Sequence, residues 1–382
     1  MYDVPAMLDD PLLRGPLLQS LDGEQTPAFL RSVKFKLTAR CNLRCVMCRY
    51  GKGLKLPELP TERVLGILDE LAELGTRKVH FSGGEVLARS DFEQLVARSA
   101  ERQLKVTLTS NLTLLTKARA KALMRYKISS VSTSLDGASR KVHERVRGIP
   151  GSFARTCRAL GYLARERERR GQRTRLRVNM TLMRDNVADY PALIRLAAEL
   201  GATAVVPMPV DSRNKQLRLN KQGIRHYNEV IAPAVLQARM EVGMDTAEAL
   251  VYPFGRGGEQ LRESAEGNYA GGYYRDHVCY APWLHMFVAW DGKVYLCCMT
   301  NGRIAPLGDL ATDSVRAVFW GPAFAAAREQ MRSERLAACH QCDMYLAENQ
   351  LLASVGHRGP GAEGLRRGDS GGASRRLPVV SG

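Results

Sequence analysis

No apolar stretch of the 382-residue chain approaches the ~20 residues that a membrane-spanning helix needs. The N-terminal MYDVPAMLDD is acidic and lacks the basic-then-apolar order of an export signal. Without such a signal, nine cysteines do not read as a disulfide framework, because the cytosol keeps thiols reduced. An RNA-reading signature such as an aromatic RNP strand is also missing. These absences favour a soluble cytoplasmic protein with free thiols. The 45% hydrophobic content is ordinary for a globular chain, and the length suits one large domain with a small appendage, or two domains.

Positive charge is abundant: the net charge is +17 and the isoelectric point about 9.7. Taken alone, that fits a nucleic-acid partner, an anionic substrate or an arginine-rich genome. Much of the excess sits in two places. The run RERERRGQRTRLR from Arg165 to Arg177 reads as the solvated end of a helix entering a strand, where cations suit the helix dipole. The glycine- and arginine-rich residues 356–382 are poor in apolar side chains and read as a disordered basic tail.

From about residue 32 to 210 strand and helix patterns alternate. Ser32–Thr38, Lys78–Ser82, Lys105–Ser110, Ser130–Leu135, Arg175–Leu182 and Thr203–Val210 read as strands, with helical spacing between them. Such a series builds a parallel sheet through right-handed crossovers. It can curl into a partial barrel whose working site lies at the C-terminal strand ends. The expected organisation is an N-terminal extension over 1–31, a core over 32–215, a connecting helical segment over 216–278 and a cysteine-bearing module over 279–346.

Eight of the nine cysteines are clustered, which points to metal or redox chemistry. Cys157 stands alone and reads as a small core residue. Cys41, Cys45 and Cys48 follow the first strand with C-x3-C-x2-C spacing. Thiolates are the usual ligands of iron–sulfur clusters, which normally take four. Three on one loop leave one iron open to a substrate or cofactor. On spacing alone, iron–sulfur, zinc and coincidence all stay open. One helix downstream, Ser82-Gly83-Gly84-Glu85 ends the second strand, with glycines that permit close backbone approach and a carboxylate that can accept from an ammonium group.

With both motifs in place, Lys34 to Val210 resembles the radical S-adenosylmethionine (SAM) superfamily. The resemblance implies a partial (β/α)6 barrel and a 4Fe–4S cluster on Cys41, Cys45 and Cys48. It also implies SAM chelated at the open iron and cleaved to a 5′-deoxyadenosyl radical that abstracts hydrogen. It puts Gly83, Gly84 and Glu85 at the SAM amine. Ser110, Asn111, Ser134 and Asp136 fall in segments that contact the SAM ribose or carboxylate, and Arg147, matching a recurrent Arg-Gly after the fourth strand, is a further cofactor-binding residue. Asn179 would serve the ribose, and Val206 or Met208 the adenine. Met47 stands where the family usually has an aromatic residue; a thioether can still pack on adenine.

A second site is suggested by Cys279, Cys297 and the pair Cys339-His-Gln-Cys342, with a hairpin signal around Asp291-Gly292. Four thiolates could complete a zinc site or a second 4Fe–4S cluster. The order of elements resembles the SPASM/twitch extension of radical SAM proteins, in spacing similar to the butirosin aminocyclitol dehydrogenase. That resemblance implies a small hairpin-plus-helix domain with one auxiliary cluster on these four cysteines. It leaves Cys298 as a spare thiol, either buried or a tentative hydrogen donor.

Reaction class does not fix substrate. The favoured expectation is hydrogen abstraction from a carbinol C–H of a sugar or aminocyclitol in antibiotic biosynthesis, giving oxidation or epimerisation. The alternative is a maturase that crosslinks or epimerises a ribosomally made peptide. Such enzymes normally carry a leader-recognition module ahead of the core, and here only residues 1–31 precede it. A flavodoxin- or ferredoxin-type donor would supply electrons; a nucleic-acid partner is not expected.

Overall fold

The computed structural model describes residues 3–21, 26–48, 56–212, 214–342 and 346–356. Two short helices, α1 (Val4–Asp9) and α2 (Pro11–Leu21), precede the barrel. The barrel then runs β1 (Ser32–Lys36), α3 (Thr61–Glu73), β2 (Lys78–Ser82), α4 (Phe92–Glu101), β3 (Lys105–Thr109) and α5 (Lys117–Leu123). It continues through β4 (Ser130–Ser134), α6 (Arg140–Arg147), α7 (Ser152–Arg169), β5 (Arg175–Leu182), α8 (Tyr190–Glu199) and β6 (Ala204–Pro209). All six strands pair in parallel, in chain order.

Alternation along each strand decides which way it faces. Val33, Phe35, Val79, Phe81, Val106, Leu108, Val178 and Met180 are buried. Phe35 meets Phe81 at 5.8 Å, and Phe81 meets Phe92 of α4 edge-on at 6.0 Å, so this face carries the helices. The intervening residues of β1, β2, β4 and β5 are mostly half-buried and face the barrel interior.

Beyond β6 come α9 (Lys221–His226), a π-helical stretch (Tyr227–Ile231), α10 (Ala232–Glu241), α11 (Glu248–Val251), α12 (Gly258–Ala265) and α13 (Tyr273–Asp276). The C-terminal part holds α14 (Ala281–Leu284), β7 (His285–Val288), β8 (Lys293–Tyr295), β9 (Gly308–Asp309), α15 (Val315–Phe319), α16 (Pro322–Ser333) and α17 (Ala347–Gly356). The expected β7–β8 hairpin forms, turning through Gly292 at φ +90°. It does not stand apart. β7 pairs in parallel with β1, Phe35 opposite Val288, and the whole is one nine-stranded sheet, β6-β5-β4-β3-β2-β1-β7-β8-β9. An uncovered β1 edge would leave backbone donors and acceptors unpaired, and the hairpin satisfies them.

The N-terminal extension is docked on the C-terminal part. Val4, Met7 and Leu17 are buried; Trp320 donates to the Pro27 carbonyl at 2.6 Å, and Arg332 to the Ser20 carbonyl at 3.0 Å. The tail expected from 356 differs at its first residue, since Gly356 closes α17; residues 357–382 lie outside the described residues.

Candidate functional site

The loop bearing Cys41, Cys45 and Cys48 leaves β1 and is clamped from two sides. On one side Gly84 N donates to the Thr38 carbonyl at 2.7 Å, and Glu85 N to the Arg40 carbonyl at 2.8 Å. A Cβ on Gly84 would fall on the Arg40 carbonyl, and one on Gly83 would lie 2.7 Å from the Thr38 oxygen. The paired glycines therefore admit the cysteine loop's own backbone. On the other side Arg44 N donates to the Arg147 carbonyl at 3.1 Å and Val46 N to the Val146 carbonyl at 3.0 Å. Gly148, at φ +71°, lies under Arg44, whose oxygen is 2.5 Å from where a Cβ would stand. Glu58 ties the loop's start, accepting from Thr38 and from both Nε and Nη2 of Arg40 at 3.1 and 2.9 Å.

Several expected SAM-binding residues are committed to this scaffold. The buried Glu85 carboxylate accepts from the Ser110 hydroxyl at 2.6 Å, Asn111 N at 2.7 Å and Leu87 N at 3.0 Å. A carboxylate offers about four acceptor positions, and these donors fill three of them. Asn111 Nδ2 donates to Asn42 Oδ1 at 3.0 Å and stands 3.9 Å from Cys41 Sγ. Asp136 is buried, paired with Arg147, and accepts from Thr181 N at 2.8 Å. Arg147 Nη1 lies 3.5 Å from Cys45 Sγ. Ser134 and Asn179 are half-buried partners across β4 and β5. Val206 lies opposite Asn179 on β6, and Met208 is exposed two residues on. Met47 packs against Val146, Met183 and Val210, an apolar patch just past the ends of β5 and β6.

Burial raises the Cys41 thiol to about 11, and Glu85 and the two sibling cysteines push it the same way. Burial raises Cys45 too, with Arg147 opposing. The donor set fits an anionic iron–sulfur group: three thiols on one loop, with a guanidinium aimed at one sulfur and an amide near another. Ligation there displaces the thiol protons. Among the described residues no three such side chains surround one point closely enough for a single ion. In a cubane each thiolate takes a different iron, so its sulfurs stand further apart.

The second group assembles from three segments: Cys279 before α14, Cys297 just past β8, and Cys339 and Cys342, joined by Cys342 N donating to the Cys339 carbonyl at 3.1 Å. Burial holds the Cys297 thiol well above its ordinary value, and Cys298, Cys279 and Cys339 add to the shift. Cys339 is pushed up to about 12 by burial and then by Cys279, with Arg303 opposing. Arg303 also pairs with Asp211, just past β6, at 3.6 Å. Sequence reasoning missed Asn349 of α17. It is fully buried, takes Tyr280 N at 2.9 Å, donates to the Tyr274 hydroxyl at 2.9 Å and stands 3.7 Å from Cys279 Sγ. No spacing rule marks a single asparagine beyond the last cysteine. Cys298 packs against the small cluster of Phe287, Ala289 and Tyr295. Cys157 packs against the main core, with its thiol raised to about 11 by burial.

Residues 35–197 match the radical SAM superfamily, and residues 279–343 match the SPASM family, an iron–sulfur cluster-binding domain. The chain is 34% identical over 176 residues to an AdoMet-dependent heme synthase of Methanosarcina barkeri, covering 46% of this chain and 49% of that one. It is likewise 34% identical over 170 residues to a PqqA peptide cyclase of Granulibacter bethesdensis, 44% of each. The chain thus spans about half the length of these curated relatives. The crystal structure of Streptococcus suis SuiB aligns with 89% of this chain and 78% of its own, at a TM-score of 0.61 and 16% identity, a likeness of fold. Barrel, motifs and both matches agree: the chain carries a radical SAM domain over residues 35–197, which implies a 4Fe–4S cluster and SAM, and a SPASM iron–sulfur cluster-binding domain over residues 279–343.

Proposed function

We propose that this protein is a maturase that crosslinks or epimerises a ribosomally synthesised peptide. The observation that carries the reading is the 34% identity to a PqqA peptide cyclase over 170 residues. The sugar or aminocyclitol reading, drawn from the spacing of the auxiliary cysteines, gains nothing from that likeness. A second reading, chemistry on a haem precursor, has the 34% identity to an AdoMet-dependent heme synthase over 176 residues in its favour.

In this scheme Cys41, Cys45 and Cys48 would hold the first cluster. Gly83, Gly84 and the remaining acceptor position of Glu85 would face the SAM amine, and the half-buried Ser134 and Asn179 its ribose. The bound cluster and SAM supply a 5′-deoxyadenosyl radical. Arg147 and Asn111 orient and stabilise the sulfurs from the protein side. Cys279, Cys297, Cys339 and Cys342 would hold the auxiliary cluster, which gives an oxidative crosslink an electron acceptor. The donor would be a flavodoxin or ferredoxin, and the setting the cytoplasm.

The test is to incubate the reduced, reconstituted protein and SAM with candidate precursor peptides encoded beside its gene. A peptide that stimulates 5′-deoxyadenosine release and loses two mass units, or takes up solvent deuterium at constant sequence, supports the reading. Stimulation by an aminocyclitol or a porphyrin, and by no peptide, overturns it.

A further inference from the structure

The segment leading into α13 is strapped to the second cysteine group. Ala270 N donates to the Cys342 carbonyl at 3.2 Å, and Tyr273 N to the Ala270 carbonyl at 3.1 Å. Tyr274 of α13 is thereby carried in among those cysteines, with 2% of its surface exposed and its ring edge-on to Tyr273 at 5.1 Å.

The hydrogen bonds at its hydroxyl can be counted. Leu346 N donates to Tyr274 Oη at 3.0 Å, and Asn349 Nδ2 donates to it at 2.9 Å. Neither nitrogen can accept, so the oxygen is an acceptor twice over. Chemistry fixes which way the Asn349 amide points. Tyr280 N, at 2.9 Å, is a donor and must face Oδ1, which leaves Nδ2 for Tyr274. That nitrogen carries two protons. One serves Tyr274, and the other lies toward Cys279 Sγ at 3.7 Å.

What remains is the hydroxyl's own proton. Among the described residues no acceptor takes it. A buried O–H left unpaired is costly. Burial raises this hydroxyl first, and Cys279 and Cys342 raise it further, so the proton stays on the oxygen. The shared Asn349 nitrogen, touching the oxygen on one side and facing Cys279 Sγ on the other, ties it to the sulfur group. An iron–sulfur cluster is an anion rich in sulfur acceptors. The four cysteines therefore fit one here: the protein turns an unspent O–H and an amide N–H toward the place their sulfurs occupy.

We propose that the Tyr274 hydroxyl donates to a sulfur of the auxiliary cluster and, with the Asn349 amide, sets that cluster's reduction potential. Reduction adds one negative charge to the cluster, and donors aimed at its sulfurs favour the more negative form. The pair raises the potential and suits the cluster to take an electron. This rests on the assignment of the auxiliary cluster to Cys279, Cys297, Cys339 and Cys342, and it holds for any substrate.

The experiment is an EPR-monitored redox titration of the anaerobically reconstituted full chain. The first cluster, recognised by the change in its signal when SAM is added, is the internal reference. Tyr274→Phe keeps the ring and removes the O–H. The auxiliary cluster should become about tenfold harder to reduce, ~59 mV for a one-electron couple, while the first cluster stays where it was. Loss of the hydroxyl also strands Leu346 N, so a second variant keeps the oxygen. Tyr274→3-fluorotyrosine, made by codon suppression, has a more acidic hydroxyl, a stronger donor and a weaker acceptor. It should move the auxiliary potential the other way, upward. At wild-type iron content, an auxiliary potential unmoved in the Phe variant overturns the proposal. Should the Phe variant lose iron, the fluorinated variant decides: a rise supports the donor role, and no change or a fall overturns it. A wild-type chain holding about four irons, all lost with Cys41, Cys45 and Cys48, has no auxiliary cluster. That result overturns the cluster assignment, and the proposal with it.

Discussion

Arg147 joins a buried carboxylate to a cluster-loop sulfur: its Nη1 lies 3.5 Å from Cys45 Sγ while its guanidinium pairs with Asp136, which is 0% exposed. Arg147→Met leaves that carboxylate buried without its counter-charge, a loss of about 3–5 kcal/mol for a broken buried pair. Denaturant unfolding of the metal-free variant measures it. Arg147→Lys keeps the charge but moves it off the sulfur. Its first cluster should reduce at a more negative potential, read by an EPR-monitored redox titration.

The clamp on the cysteine loop is steric, so the smallest side chain should break it. Gly84→Ala places a methyl against the Arg40 carbonyl, and Gly148→Ala adds a Cβ at φ +71° beside the Arg44 carbonyl. Overpacking of this kind costs about 1–3 kcal/mol. Both variants should lose iron from the first site and keep it at the second. Gly75→Ala, also at positive φ but with open space around it, should keep both.

Much of this was legible in the sequence because it is local. Strand alternation placed β1 to β6 within a residue or two, and C-x3-C-x2-C marked the loop. What stayed hidden is non-local. Only pairing shows that β7 seals the β1 edge, and only packing shows that the paired glycines make room for Thr38–Arg40. Glu85 looked like a free acceptor because its partners Ser110 and Asn111 lie one strand away. Docking of α1 and α2 on the C-terminal part, through Trp320 and Arg332, joins residues some three hundred positions apart.

Acid should unfold the protein through its buried histidines. Burial, then Lys34, holds His285 down to about 3, and burial holds His143 down to about 4. Both are neutral when folded and take a proton near pH 6.5 when unfolded. Their contribution is present above that value and is lost as pH falls toward 4 and then 3. The urea midpoint should drop across this window. His285→Asn, which can keep the Ser32 hydrogen bond, should flatten the slope; an unchanged slope contradicts the assignment.

Asn349 supports the auxiliary site from outside the cysteine pattern. Asn349→Leu strands Tyr280 N and removes the donor near Cys279, at about 1–3 kcal/mol per buried group left unsatisfied. Iron should fall at the auxiliary site while the first cluster stays EPR-active. Loss at both sites instead would mean that α17 supports the whole fold.

The most direct measurement is iron content together with SAM cleavage, in the wild type and in the Cys41→Ala/Cys45→Ala/Cys48→Ala variant. Two 4Fe–4S clusters give about eight irons per wild-type chain. The variant should hold about four, and 5′-deoxyadenosine release under a strong reductant should stop. A variant that keeps all its iron, or still releases 5′-deoxyadenosine, contradicts the assignment of the radical-generating cluster to this loop.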